Sequence, residues 1–261
     1  KIEDIVFSSN DTTVALDSKG RLWSWGRNGY YPTLGVGIND CDSYSKVCLS
    51  TLSGNPLAEA YNKGVRIESL YYVESIYSIM AVDNFGKLWY WGSDYIEKVL
   101  GNFEINRLVP TCISELEDCV LKELYDKGIK IKKILYNINE NSLKILDTEG
   151  NMWTIKNGEL KSITQEETIL ATEILNNGVK IVDVEIPPRY DLIILDNLGR
   201  VWIGDKCISL DENNCLYERY NKGEKIISIS TYDANKFIAL TNKQNVIEVN
   251  ITNNNIMEML K

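Results

Sequence analysis

The sequence predicts an all-β fold, a β-propeller of about five blades, on three observations: a repeated phrase, a recurring turn and alternating apolar strands. The phrase Ala-Leu-Asp-Ser-Lys-Gly-Arg-Leu-Trp-Ser-Trp-Gly at 15–26 returns in weakening form, aligning Leu16, Val82, Leu146, Leu195 and Leu240 at spacings of 66, 64, 49 and 45. Periods of this order mark propellers and solenoids. Each copy then carries a turn, Asp17-Ser18-Lys19-Gly20, Asp83-Asn84-Phe85-Gly86, Asp147-Thr148-Glu149-Gly150 or Asp196-Asn197-Leu198-Gly199. Asp caps such a turn with its side chain, and Gly in fourth place accepts positive φ. The fifth copy, 241–245, keeps only Asn from this pattern.

An apolar strand runs into each turn, as at 78–82 and 192–195, and another leaves it, as at 87–91 and 200–203. Upstream lies a third strand with Ile or Val at alternate places, as at 130–135 and 225–229. Three strands per copy make up most of a four-stranded blade. Between the copies, 56–63, 120–127, 167–177 and 216–222 read as short helices stopped by Gly64, Gly128, Gly178 and Gly223. Asn55 before Pro56 is an N-cap, and Thr164 with Glu167 fits a capping box. The helices read as spacers between blades. Trp23 with Trp25, and Trp89 with Trp91, are expected to divide between core and rim.

Trp25-Gly26-Arg27-Asn28 with Leu34-Gly35-Val36-Gly37, and Trp91-Gly92 with Leu100-Gly101 and Leu108-Val109-Pro110-Thr111, resemble the repeat of the regulator of chromosome condensation family. The resemblance is specific in the first two copies and holds in outline in the rest, where Trp153-Thr154-Ile155 and Trp202-Ile203-Gly204 lack the middle segment. Those two copies also resemble the Asp-Gly blades of sensor-type bacterial propellers and the Asp-box turns of neuraminidases. The family resemblance implies a propeller, and it implies guanine nucleotide exchange on a small GTPase as one activity. The place of the family's histidine before the turn is taken here by Thr12, Ser78, Ser142, Asp191 and Lys236, and the chain contains no histidine. No exchange-surface residue carries over. Closure of five blades is expected through pairing of 2–7 with late strands, since an open array leaves an unpaired edge; otherwise the chain is part of a longer protein.

The 261 residues, 44% of them hydrophobic, suffice for one propeller domain over residues 1–261, with no low-complexity linker. The apolar runs are too short to span a membrane. A net charge of -9 argues against nucleic acid. The six cysteines fall in three close pairs, Cys41 with Cys48, Cys112 with Cys119, and Cys207 with Cys215. Local disulfides are the simplest reading, each closing a loop of about eight residues and contributing about 2.5 kcal/mol. They imply an oxidising compartment, hence a secreted or surface protein, whereas reduced thiols imply a cytosolic one. Zinc is disfavoured, because no Cys-x-x-Cys spacing occurs.

Without histidine a Ser-His or Cys-His nucleophile is excluded, and the regular Asp residues are explained by turns. No cofactor motif is present. Binding remains. The first two copies owe their extra length to segments after Trp-Gly, which carry Tyr30, Tyr31, Asp40, Asp42 and Tyr44 in the first and Asp94, Tyr95 and Arg107 in the second. Loops of this kind on one side of a propeller form composite surfaces, with Tyr as a common anchor for protein or glycan partners. The expected function is therefore a non-enzymatic, extracellular recognition module of a bacterial protein; a GTPase exchange factor or effector is the alternative, and an Asp-box carbohydrate enzyme the third.

Overall fold

A computed structural model describes residues 1–9, 11–28, 31–38, 44–101, 103–166, 168–187, 191–252 and 255–260, with Tyr44 and 255–260 described by backbone alone. The chain forms two compact units, residues 1–148 with 154–160, and residues 149–153 with 161–261. Among the described residues the strands make five four-stranded antiparallel sheets, each built from consecutive strands and each one blade.

In the first unit, blade one is β1 (Ile2–Phe7), β2 (Thr12–Asp17), β3 (Leu22–Gly26) and β4 (Tyr44–Cys48), followed by helix α1 (Pro56–Asn62). Blade two is β5 (Ile67–Val73), β6 (Ser78–Asp83), β7 (Leu88–Trp91) and β8 (Thr111–Cys112), with α2 (Glu97–Leu100) between its last two strands and α3 (Leu121–Asp126) after them. Blade three, β9 (Ile131–Asn137), β10 (Ser142–Asp147), β11 (Met152–Lys156) and β12 (Glu159–Ser162), is the sheet through which the division passes, and α4 (Ile169–Asn177) follows it. The second unit holds blade four, β13 (Ile181–Glu185), β14 (Ile193–Asp196), β15 (Val201–Ile203) and β16 (Lys206–Cys207), then α5 (Tyr217–Asn221). Blade five is β17 (Ile226–Asp233), β18 (Lys236–Thr241), β19 (Val246–Asn250) and β20 (Asn255–Leu260). No helix among the described residues is long and apolar enough to cross a membrane.

The turns explain why the repeat keeps Asp. Asp83 Oδ1 accepts the backbone N–H groups of Phe85 and Lys87 at 2.9 and 3.0 Å, and Oδ2 accepts the Trp89 indole at 2.8 Å. Asp17 repeats this with Lys19, Arg21 and Trp23, and Asp196 with Leu198, Arg200 and Trp202. In blade five Thr241 Oγ1 accepts from Lys243 and Asn245 N–H, so a hydroxyl replaces the carboxylate. Burial works against ionisation of Asp17, yet the Arg21 and Trp23 hydrogen bonds outweigh it and hold the carboxyl well below the usual range.

The glycine in fourth place has a second reason beyond its φ of +70° to +85°. A Cβ on Gly20, Gly86, Gly150 or Gly199 would lie 2.5–2.8 Å from the Cβ of Arg66, Lys130, Lys180 or Lys225, the basic residue that opens the next blade's first strand. The turn carbonyl then accepts the following N–H: Ile67 to Gly20, Ile131 to Gly86, Ile181 to Gly150 and Ile226 to Gly199, at 2.9–3.2 Å. Successive blades are thus clasped at the turn, with the strand crossing where only hydrogen fits.

The fourth strands, invisible to the sequence pattern, account for the cysteines. Cys48, Cys112 and Cys207 end β4, β8 and β16 and pair across the ladder with Trp23, Trp89 and Trp202. Two residues on, Ser50, Ser114 and Ser209 accept the N–H of Leu22, Leu88 and Val201, fastening the fourth strand's exit to the strand after the turn. Among the described residues the expected disulfides are not formed: Cys48, Cys112, Cys119, Cys207 and Cys215 carry thiols, while Cys41 lies outside the described residues. Their physical role is packing, Cys112 against the core shared by blades one and two and Cys215 against that of blades four and five. Burial pushes the Cys112 and Cys119 thiols up to about 12 and those of Cys207 and Cys215 up to about 11.

Two further expectations are corrected. Residues two apart share one face of a strand, so Trp89 and Trp91 are both buried in the core with Val14, Leu16, Leu22, Ile79 and Ala81, while Trp23 and Trp25 are both half-buried. Strand β1 pairs with β2 in its own blade rather than with late strands. The helix ends follow expectation: Val65, Ile129 and Glu224 N–H return to Ala60, Leu124 and Arg219 carbonyls past the stopping glycines. Asn55 caps α1 by accepting from Leu57 N–H. The capping box, however, is Ser162 with Gln165 on a 3-10 turn, and α4 is capped by Thr168; Glu167 is outside the described residues.

Candidate functional site

The long segments after Trp25-Gly26 and Trp91-Gly92 leave the ends of β3 and β7 in the first unit and are tied to each other. Trp91 Nε1 donates to the Thr33 carbonyl at 2.8 Å, and Gly37 N–H donates to the Leu108 carbonyl at 2.8 Å. In the first segment Asn28 is buried, donating to the Ile38 carbonyl at 2.6 Å and accepting from Leu34 N–H at 3.2 Å, which ties it to both residues further along the segment. Asn55, the cap of α1, also reaches back to the Gly35 carbonyl at 2.8 Å. This is the physical content of the Trp-Gly-x-Asn and Leu-Gly pattern.

The second segment stands on a buried hydroxyl cluster. Ser78 Oγ lies 2.7 Å from Tyr90 Oη and 3.1 Å from Ser93 Oγ, Tyr90 Oη donates to the Ser93 carbonyl at 2.6 Å, and Ser93 Oγ donates to the Ile76 carbonyl. Burial pushes the Tyr90 phenol up to about 12. Gly92, at φ +119°, leaves no room for a side chain against the Tyr77 carbonyl, and its N–H donates to the Arg107 carbonyl at 3.1 Å. Ser78 and Thr12, standing where the family resemblance places histidine, are both buried hydrogen-bonding groups, Thr12 Oγ1 donating to the Arg27 carbonyl.

On this base the structure brings together Asp94 and Arg107 of the expected residues, as an ion pair of 3.2 Å with side chains 57% and 44% exposed. Tyr95 is exposed, with Lys98 Nζ 5.6 Å from its ring centre. Tyr31 stacks on Tyr77, ring centres 4.5 Å apart and planes 5° from parallel. Tyr30, Asp40 and Asp42 lie outside the described residues, and Tyr44 is placed only by its backbone, opposite Gly26. Sequence reasoning missed Tyr77 and Glu97. Burial lifts the Glu97 carboxyl above its ordinary range, Arg107 opposes that lift, and Asp94 and Glu104 add to it. Tyr77 carries no advance signal; it holds φ +47° after a 3-10 turn, an uncommon backbone for a bulky residue.

Among the described residues this surface gathers Asp94, Glu97, Tyr95 and the ion-paired Arg107. The turn carboxylates of Asp17, Asp83 and Asp196 are spent on structural hydrogen bonds at the opposite ends of the strands.

Residues 2–31 match the family model "Regulator of chromosome condensation (RCC1) repeat". Blade one opens on a stretch similar to that repeat. The chain has a β-propeller fold similar to that of solved structures: human WBSCR16 at TM-score 0.54 and 16% identity, covering 78% of this chain and 47% of that one; and Prp20p from Saccharomyces cerevisiae at TM-score 0.54 and 16% identity, covering 96% and 57%. A third is YCF48 from Cyanidioschyzon merolae, at TM-score 0.53 and 12% identity, covering 98% and 71%. The chain thus spans about half the length of the WBSCR16 and Prp20p chains. No curated protein matches the sequence.

Proposed function

We propose that this chain is a non-enzymatic recognition module that binds a protein partner through the loops after the third strands of its first two blades. The observation that carries the reading is the exposed Asp94–Arg107 pair beside Tyr95, held on a buried, hydrogen-bonded Ser78–Tyr90–Ser93 base. Exposed aromatic and Arg groups on rigid supports are the usual anchors of interfaces. Propellers of this fold have been solved in studies of protein binding: that of Prp20p names Gsp1p and histones, and that of YCF48 a D1 peptide. A glycan partner and secretion or surface display by a bacterium belong to the same proposal and rest on the sequence alone.

The test is a partner-capture comparison between the wild-type chain and Tyr95→Ala, Arg107→Glu double-substituted chain, with thermal unfolding run alongside. Loss of one defined protein from the substituted chain at unchanged stability supports the reading; identical captures reject it. A second reading, nucleotide exchange on a small GTPase, is favoured by the RCC1 repeat at 2–31. Accelerated nucleotide release in a GTPase panel selects it.

A further inference from the structure

The residue that crosses the turn glycine is a cation each time, Arg66, Lys130, Lys180 and Lys225, in a chain of net charge -9. The clasp asks only for backbone and a Cβ there, because its hydrogen bond runs from the next residue's N–H to the glycine carbonyl. Arg66 donates to the Tyr61 and Val65 carbonyls at the end of α1, and Lys180 lies 3.5 Å from Glu149 with both side chains more than half exposed. Lys130 and Lys225 are exposed and pair with no carboxylate among the described residues. At those two junctions the charge serves nothing inside the fold.

In the first unit the cations form a continuous strip. Arg66 lies against Gly20, next to Lys19, and its N–H donates to Asn84 Oδ1 at 2.8 Å; Lys130 lies against Gly86, so Phe85 stands between the two. Asn84 Nδ2 also donates to the Gly64 carbonyl at 3.4 Å, which brings Lys63 to the same turn. Lys19 and Lys63 are exposed and, like Lys130, pair with no carboxylate among the described residues. Phe85 is 44% exposed. The second unit carries the same arrangement by itself: Lys180 N–H donates to Asn197 Oδ1, Lys225 lies against Gly199, and Leu198 between them is 40% exposed.

The turn carboxylates Asp17 and Asp83 are buried in hydrogen bonds, and Glu123 and Asp126 on α3 are paired with Lys127 and Lys122. Asp94, Glu97 and Glu104 belong to the loop at the opposite ends of the strands. A six-residue strand such as β6 spans about 20 Å, about two screening lengths at physiological salt. The net charge of the whole chain therefore does not set the field at the turns.

We propose that this strip is a docking surface for an anionic lipid bilayer, with Lys19, Lys63, Arg66 and Lys130 against the lipid phosphates and Phe85 entering the headgroup layer. Apolar side chains exposed among cations match such an interface, where apolar burial and attraction to anionic lipid act together. Lysine predominates in the strip, whereas protein interfaces are depleted in it. Leu198, at the equivalent place in the second unit, offers no ring to stack on a base, which disfavours a nucleic-acid strand. The surface is independent of the loops after β3 and β7.

The test is flotation of the chain with vesicles of phosphatidylcholine, alone or mixed with an equal part of phosphatidylglycerol, across a salt series and with thermal unfolding alongside. The expected result is binding to the mixed vesicles only, falling as salt rises. The combined Lys19→Glu, Lys63→Glu, Lys130→Glu variant should bind about tenfold more weakly or worse. Phe85→Ser, which leaves the charge untouched, should bind about threefold more weakly. No binding to the mixed vesicles overturns the proposal, as does unchanged flotation of either variant at wild-type stability. Retention on immobilised duplex DNA without flotation also overturns it, in favour of a nucleic-acid backbone as occupant.

Discussion

The Trp89 indole and the Asp83 carboxylate are joined by a 2.8 Å hydrogen bond that straps the strand leaving the blade-two turn to the strand entering it. The same carboxylate holds two turn N–H groups, so one side chain satisfies three donors in a site 1% exposed. Asp83→Ala strands those donors, and the expected loss is about 2–4 kcal/mol in urea unfolding, since each buried unsatisfied group costs about 1–3 kcal/mol. Asp83→Asn keeps one acceptor oxygen and is expected to lose less.

The turn glycine and the helix-stopping glycine separate two causes of glycine's presence. Gly86 and Gly64 both hold positive φ, but a Cβ on Gly86 meets Lys130 at 2.5 Å while one on Gly64 meets open space. Gly64→Ala is expected to cost about 1 kcal/mol, the backbone penalty alone. Gly86→Ala should cost at least twice that, as paired urea titrations would show; equal losses would mean that the close approach is unimportant.

The thiols give a pH signature. Cys112 and Cys119 titrate near 12 in the fold against an ordinary value of 9.0, so the folded state holds protons that the unfolded state has released between those limits. Stability from this source is complete below about pH 9 and is lost as pH rises towards 12. Cys112→Ala, Cys119→Ala chain should show a shallower alkaline decline. Intact mass after alkylation in denaturant without reductant should show Cys112, Cys119, Cys207 and Cys215 all modified; bridged pairs would contradict this and support the proposed secretion.

For the surface loops the expectation is electrostatic. Arg107 lowers the Glu97 carboxyl that burial raises, so Arg107→Ala should move the Glu97 titration further upward in a carbon-detected NMR series. Because the Asp94–Arg107 pair is about half exposed, its removal should change global stability by less than about 1 kcal/mol.

Much of this was legible in the sequence because it is local. Asp and Gly three apart in the turn, and Gly after each short helix, specify backbone within a few residues, and both sets stand where the pattern put them. The fourth strands were not legible, since Thr111–Cys112 and Lys206–Cys207 are two residues long and have no periodicity to detect. That gap misdirected the cysteines, whose alignment reflects a strand opposite Trp rather than a pairing. The turn glycines were read from φ alone, because the residue crossing them lies 26–46 positions away. Of the surface loops, sequence length pointed to the right segments, and the Tyr31–Tyr77 stack was hidden because its second ring comes from a different hairpin.

The most direct measurement is site-specific photo-crosslinking with the probe at Tyr95, compared with a probe at Lys19, exposed in the blade-one turn at the opposite end of the strands from the loops. The expected result is one protein adduct from Tyr95 that weakens when Arg107→Glu is added, and none from Lys19. Equal adducts from both positions, or none from Tyr95, would contradict recognition by these loops.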